Sequence, residues 1–492
     1  MRYPFFFLIL IALAGCKHEP FTPQTSDPIK GGYPAAIGKI VNDRCVNCHN
    51  AASASLSGGL NMESWDLLFN GAASGAAVIP YHIDNSVLLH YINTYSDLGP
   101  TAQPIMPVAG TVLSREEVLQ FKDWILRGAP DANGKIAFAS NADTRQKIYI
   151  TMQGCDLLGV IDAERKVLMR YIKVGKSDAI EIPHAVRVSP DGRYAYVSFT
   201  SGDYVQKIDT RTNEIVGEIN LAQYIQQGSW NVLHISPDGN YFIISDFKGE
   251  GSLLLVQTSD MTLKRVLGYK GMISPHAEAA TPSFDTFYVT AQNGNVVYKI
   301  AASGQQLQPI KVSLDGNTPV EQHSLTSPDP HEILMAPDHS KYFVACQNTN
   351  DVRVVDAHTN AILATVPVGG YPQEIAVSST KPWIFVTCMN DSSRLPGYKG
   401  SVYVIDYNTH QIVRRIDGPF WQPHGITVDD RAGIVYVISA NQSENGIPPH
   451  HVSACAGRNG WYTLVDLNTL QPLRNTRYEL SVYPYSADTR FK

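Results

Sequence analysis

From residue 143 to the C-terminus the chain is written in short apolar runs that alternate with polar positions and break at turn residues. "RYAYVSFTSGDYVQKIDTRTNEIVGEI" at 193–219 returns as "KYFVACQNTNDVRVVDAHTNAILATVPVG" at 341–369 and as "WIFVTCMNDSSRLPGYKGSVYVIDYNTHQIVRRIDG" at 383–418. Each copy holds an apolar strand, a turn, an alternating strand ending near Asp, a Thr/Asn turn and a further strand. Seven such units start near Lys147, Arg193, Asn240, Thr286, Lys341, Trp383 and Ile434. A period of roughly 40–55 residues built from short strands predicts four-stranded blades closed into a ring, because one blade cannot bury both its faces alone. The expected architecture of residues 143–492 is an all-β, seven-bladed propeller.

Upstream, over residues 33–134, the apolar spacing is helical and predicts a small all-α domain. Pro34 can open a short helix with Ile37, Ile40 and Val41 on one face. Further on, "SREEVLQFKDWILRGAP" pairs Ser114 with Glu117 as a capping box and spaces Val118, Phe121 and Ile125 along one stripe. Gly128 and Pro130 then stop it. Residues 17–32 are Pro-rich and aperiodic, the pattern of a tether.

Residues 1–16 pair Arg2 with the apolar run "FFFLILIALAG", a secretory signal too short to span a bilayer comfortably. Leu13, Ala14 and Gly15 before Cys16 resemble the lipobox of bacterial lipoproteins. That resemblance implies lipidation of Cys16 and an envelope location, the rest of the chain being held to a membrane by acyl chains.

A length of 492 residues exceeds one ordinary core and is consistent with two domains. With a net charge of −6 and no basic stretch, a nucleic-acid partner is excluded. Gly 37, Pro 30 and Tyr 25 fit a turn-rich β protein.

"CVNCH", Cys45 to His49, is the most specific chemical signal. Two thiols three positions apart can both add to haem vinyl groups, and the following histidine then projects at the iron. A zinc site would want a second Cys/His pair, and none follows at that spacing; a dithiol motif does not need the histidine. Met106, between Pro104 and Pro107, is the candidate sixth ligand, with Met62, His82 and His90 as rivals. "CVNCHN … GGLNMESWDLLFNG … PIMPVAGTVLSREEVLQFKDWILRGAP" resembles the planctomycete-type cytochrome c domains fused to larger envelope proteins. The resemblance implies one covalent haem c on Cys45 and Cys48, with His49 and Met106 as axial ligands.

The downstream units resemble the YVTN-type propeller repeat, a scaffold that serves redox enzymes and plain binders alike. Aligning the connectors typified by "PHAVRVSPDG" gives one column: His184, Asn231, His276, His331, Gln373, His424 and Tyr485. Each begins an innermost strand, so the column is expected to ring the mouth of the central channel. Four histidines there could serve copper or a polar substrate, or only satisfy neighbouring backbone groups. The seventh unit carries an insertion, "IPPHHVSACAG" at 447–457, whose His450, His451 and Cys455 would suit copper or zinc as a lid near that ring. A redox-silent loop is the alternative. Cys155, Cys346, Cys388 and Cys455 remain for pairing in an exported protein, and Cys346 and Cys388 sit one place out of register for each other.

Three functions are compatible with these features, in order of preference. The first is a membrane-tethered electron carrier whose propeller docks a redox partner or ligand. The second is an oxidoreductase with a copper-like second centre, and the third a redox-sensing scaffold.

Overall fold

The computed structural model describes residues 31–492 except 226–227, 249–250, 268–271, 303–308, 320–325, 452–454 and 474–476. The signal, Cys16 and nearly all of the tether lie outside the described residues.

Four α-helices form the N-terminal domain: α1 (Ala35–Arg44), α2 (Trp65–Leu68), α3 (Val87–Ile92) and α4 (Arg115–Leu126). Helix α1 follows Pro34 and buries Ile37, Ile40 and Val41. Helix α4 starts in a complete capping box: Ser114 Oγ accepts from the Glu117 amide, and the Glu117 carboxylate accepts from the Ser114 amide at 2.7 Å. Such a cap contributes about 1 kcal/mol. The buried stripe of α4 is Val118, Phe121, Trp124 and Ile125, and α1 and α3 both pack on this helix. Beyond its end Gly128 has φ +91°, and a Cβ there would lie 2.5 Å from the Tyr81 ring, so only glycine fits.

Downstream, seven antiparallel sheets make the propeller. The second to seventh sheets are built from consecutive strands, and the seventh adds Tyr478–Val482 beside Asn459–Asp466. The first is composite: Lys147–Met152, Leu157–Asp162 and Val167–Lys173 are completed on the inside by Pro484–Thr489 from the C-terminus. Burial explains the apolar runs. Inner strands such as Lys147–Met152 and Pro275–Ala280 are buried at every position, whereas the outer Glu214–Asn220 is largely exposed. The Thr427 and Thr489 hydroxyls, 2.8 Å apart, tie the seventh blade to the closing strand. Gly425 passes so close to that strand that a Cβ would lie 2.2 Å from the Tyr485 carbonyl oxygen. Hence glycine follows His424, where Ala185, Ala277 and Glu332 follow the corresponding histidines.

The helical domain and the first blade share one apolar cluster, running from Tyr33, Trp65 and Phe121 through Phe138 to Tyr149, Leu158 and Val160. Phe69 meets Phe138 edge-on at 5.9 Å. Around this contact Arg165 pairs with Asp66 at 2.7 Å, and Arg170 donates to the Pro80 carbonyl at 3.2 Å.

A disulfide joins Cys155, in a turn of the first blade, to Cys455 in the long loop of the seventh. This corrects the reading of Cys455 as a metal ligand, because a sulfur bonded to sulfur offers no thiolate. Cys346 and Cys388 are buried free thiols. The bridge closes a loop of 300 residues, and Cys455→Ser is expected to cost about 2–5 kcal/mol. Urea unfolding should show it as a lower midpoint, and a reductant should bring the unmutated protein down to the variant's midpoint. Insensitivity of the unmutated protein to reductant would contradict the bridge.

Candidate functional site

Helix α1 delivers the CVNCH segment. The Cys45 amide still donates to Val41, and the amides of Cys48 and His49 both donate to the Cys45 carbonyl, at 3.1 and 2.9 Å. One tight turn therefore carries both thiols and the imidazole. Cys45 is half-buried, Cys48 is exposed and neither is in a disulfide. Burial pushes the Cys45 thiol up to about 12. Asn50 organises the turn after the motif, its Oδ1 accepting from the amides of Ala52 and Ser53, each at 3.0 Å. Burial lowers the His49 pKa, with the Leu60 and Ser57 carbonyls opposing it, which favours the neutral imidazole that metals bind. Its Nδ1 is buried and makes no bond of hydrogen-bond geometry.

Met106 is half-buried against the same apolar cluster as Cys45, and its amide donates to the Tyr91 carbonyl at 2.8 Å. Its rivals are occupied elsewhere. Met62 is a core residue at 2% exposure. His90 Nε2 bonds the Asp84 carbonyl at 3.1 Å, and His82 Nδ1 lies 3.5 Å from Asn85 Nδ2. Unpaired thiols at CxxC spacing, an adjoining neutral imidazole and a thioether on the same cluster are a donor set that fits haem c.

Residues 45–100 match the planctomycete cytochrome C family model. A cytochrome c family domain implies covalently bound haem; the match ends before Met106, whose case rests on its placement. A 116-residue stretch is 26% identical to antigen Lp49 of Leptospira interrogans, covering 22% of this chain and 24% of that protein. The chain thus spans about a quarter of the length of the curated relative it matches. Among solved structures, Kuenenia stuttgartiensis hydrazine synthase aligns with TM-score 0.46 and 16% identity over 60% of this chain and 79% of that one. Dihydro-heme d1 dehydrogenase NirN aligns with TM-score 0.45 and 13% identity over 92% and 98%. A functionally unknown protein from Desulfotomaculum acetoxidans aligns with TM-score 0.49 and 10% identity over 69% and 99%.

At the channel mouth the structure brings the column together more tightly than separate blades would suggest. Ring centroids lie 5.6 Å apart for His184–His276, 4.1 Å for His276–His331 and 5.5 Å for His331–His424. Tyr485 completes the circuit, stacked on His424 at 3.5 Å and 4.7 Å from His184. The rings are buried. Part of their bonding goes to protein: Gln153 Nε2 lies 2.9 Å from His184 Nδ1, and His276 Nδ1 lies 3.1 Å from the His331 carbonyl oxygen. Beneath them is a layer that the connector pattern does not announce: Arg187, 3.7 Å from Glu332, with Glu278 and Glu374 also buried. Burial raises all three glutamates and lowers all four histidines.

The blade-seven loop leads elsewhere. Rather than covering the ring, its histidines reach the cytochrome domain. His450 Nδ1 lies 3.1 Å from the Tyr91 hydroxyl, and the His451 ring packs 5.8 Å from that of His90. The third carboxylate or thiol partner is Glu479, not Cys455. Among the described residues, the three-residue donor group converging within 4.8 Å is His450, His451 and Glu479, and it includes no member of the channel ring. Glu479 eluded the repeat pattern because it stands on the extra strand of the seventh sheet. Burial, then the neighbouring His450, holds His451 down to about 4.

Burial holds His276 down to about 4, the His331 carbonyl opposing and Arg187 adding. A pKa depressed on folding contributes stability above about 6.5 that is lost as pH falls toward about 4, at about 1.4 kcal/mol per pH unit. The raised glutamates have the opposite sign but are common to a histidine variant and its parent. The excess stability of the unmutated protein over His276→Gln is therefore expected to shrink at about that slope below pH ~6.5. Gln373 already occupies the equivalent place. A pH-independent difference in denaturant titrations would refute this account.

Proposed function

We propose that this chain is a bacterial envelope electron-transfer protein, with one covalent haem on the N-terminal domain and a propeller that holds that domain and docks a redox partner. The observation that carries the reading is the single turn presenting Cys45, Cys48 and His49, with both thiols unpaired. Cys45 and Cys48 would form the thioethers, and His49 and Met106 the axial ligands. A haem so ligated supplies outer-sphere one-electron transfer, with neither axial position left for a substrate.

The chain's own residues support this use. Leu56, Val108 and Val112 are exposed apolar side chains on the segments that follow His49 and Met106, the kind of surface a porphyrin edge or a transient partner covers. The contacts from Arg165 and Arg170 to the cytochrome domain limit how far it can shift from the propeller. A lipid on Cys16 would keep the whole unit at a membrane surface. The oxidoreductase reading, with copper in the channel, has less support because the ring's donors do not converge as a set.

Cys45→Ser/Cys48→Ser protein is expected to lack covalent haem, and purified unmutated protein to hold one iron per chain. Met106→Ala should keep the covalent haem, lose the sulfur-to-iron charge-transfer band and show a lower reduction potential in a redox titration. Covalent haem surviving in the double cysteine variant would defeat the proposal. Cys16→Ala should move the protein from the membrane to the soluble envelope fraction, and an unchanged distribution would remove the lipid anchor.

A further inference from the structure

We infer that His450, His451 and Glu479 form a site for one divalent transition-metal ion of the zinc or copper class, pinning the blade-seven loop to the strand Tyr478–Val482 beside helix α3. The inference does not rest on the electron-transfer reading. Two imidazoles and a carboxylate are a donor set those ions take, and here they offer ligand atoms within 4.8 Å of one another. In a tetrahedral site with ~2.1 Å bonds, donors stand roughly 3.4 Å apart, so adjustments on the order of 1 Å complete the geometry.

Adjacent histidines share an ion only where the backbone bends, and this backbone bends around the carboxylate itself. The amides of His450 and His451 both donate to Glu479, at 2.8 and 3.4 Å, and Asn459 Nδ2 donates to it at 2.8 Å. Those donors are neutral and fix the carboxylate without balancing its charge. Among the described residues its ion-pair neighbour is His451, whose Nδ1 lies 3.4 Å from Oε1. That contact lacks hydrogen-bond geometry, so His451 Nδ1 is left buried and unsatisfied, as are His90 Nδ1 and Asn459 Oδ1. Buried orphans beside a carboxylate are costly unless a cation joins them. Tyr91 orients the His450 ring through the bond between its hydroxyl and Nδ1, the outer-shell role that ligating histidines ordinarily have filled. A cavity of about 300 Å³, lined in part by Gly58, Pro449, His450, Trp461, Arg477 and Glu479, gives an ion its entry and room for a further ligand.

The test uses the full-length, haem-loaded protein, stripped with a chelator and titrated calorimetrically with Zn²⁺ alone. One equivalent is expected to bind and to raise the melting temperature. Glu479→Gln and His451→Ala should each weaken binding by more than tenfold and abolish the thermal shift, with circular dichroism and the haem spectrum unchanged. Tyr91→Phe, which removes only the orienting bond, should weaken binding by about tenfold. His358→Ala, on an exposed turn, should bind as the unmutated protein does. Absence of zinc uptake, or stoichiometric uptake with undiminished affinity in Glu479→Gln, would overturn the site.

Discussion

Lys147–Met152 pairs with Pro484–Thr489, and the ring exists only because of that pairing. An open array of blades would leave an unpaired strand edge at each end and an uncovered apolar face. Here the two edges meet, and several independent features converge on the seam: the Thr427–Thr489 hydroxyl bond, the close passage of Gly425 against Tyr485 and the Cys155–Cys455 bridge. Tyr485 sits in the closing strand and is also a member of the channel ring, so the packing of the imidazoles depends on closure as well.

The cytochrome domain is placed by the same seam. Its apolar cluster continues into the first blade, the sheet whose innermost strand comes from the C-terminus. Its other neighbour is the blade-seven loop, which touches α3 through Tyr91 and His90. Cytochrome domain and propeller are therefore related by two contacts on either side of the closure. The domains join through an apolar centre with charged pairs such as Arg165–Asp66 around it, and the exposed ion pairs there add little strength of their own.

Features set by local spacing are legible in the sequence. The capping box at Ser114, the stripe of α4, the seven repeat units and the register of the connector column all follow from residues close together in the chain. Even Tyr485 falls into the column, because its connector repeats the pattern set by His184 and His424. Features set by closure are not legible. Cys155 and Cys455 stand 300 residues apart and become neighbours only when the first and last blades adjoin. Glu479 lies on a strand outside the repeat, so no period points to it. The direction of the blade-seven loop, toward α3 rather than over the channel, is likewise decided by where the cytochrome domain docks. Arg187 and the glutamates around it are spread over several blades, each looking locally like an ordinary charged strand residue.

The composite first blade carries an implication for assembly order. The cytochrome segment is made before the strand Pro484–Thr489, and domains generally fold as their segments emerge. The sheet on which the cytochrome domain rests is thus incomplete until that strand has been delivered. Geometry sets a timetable: the helical domain is synthesised before its docking sheet can be completed, and ring closure then supplies that sheet's innermost strand.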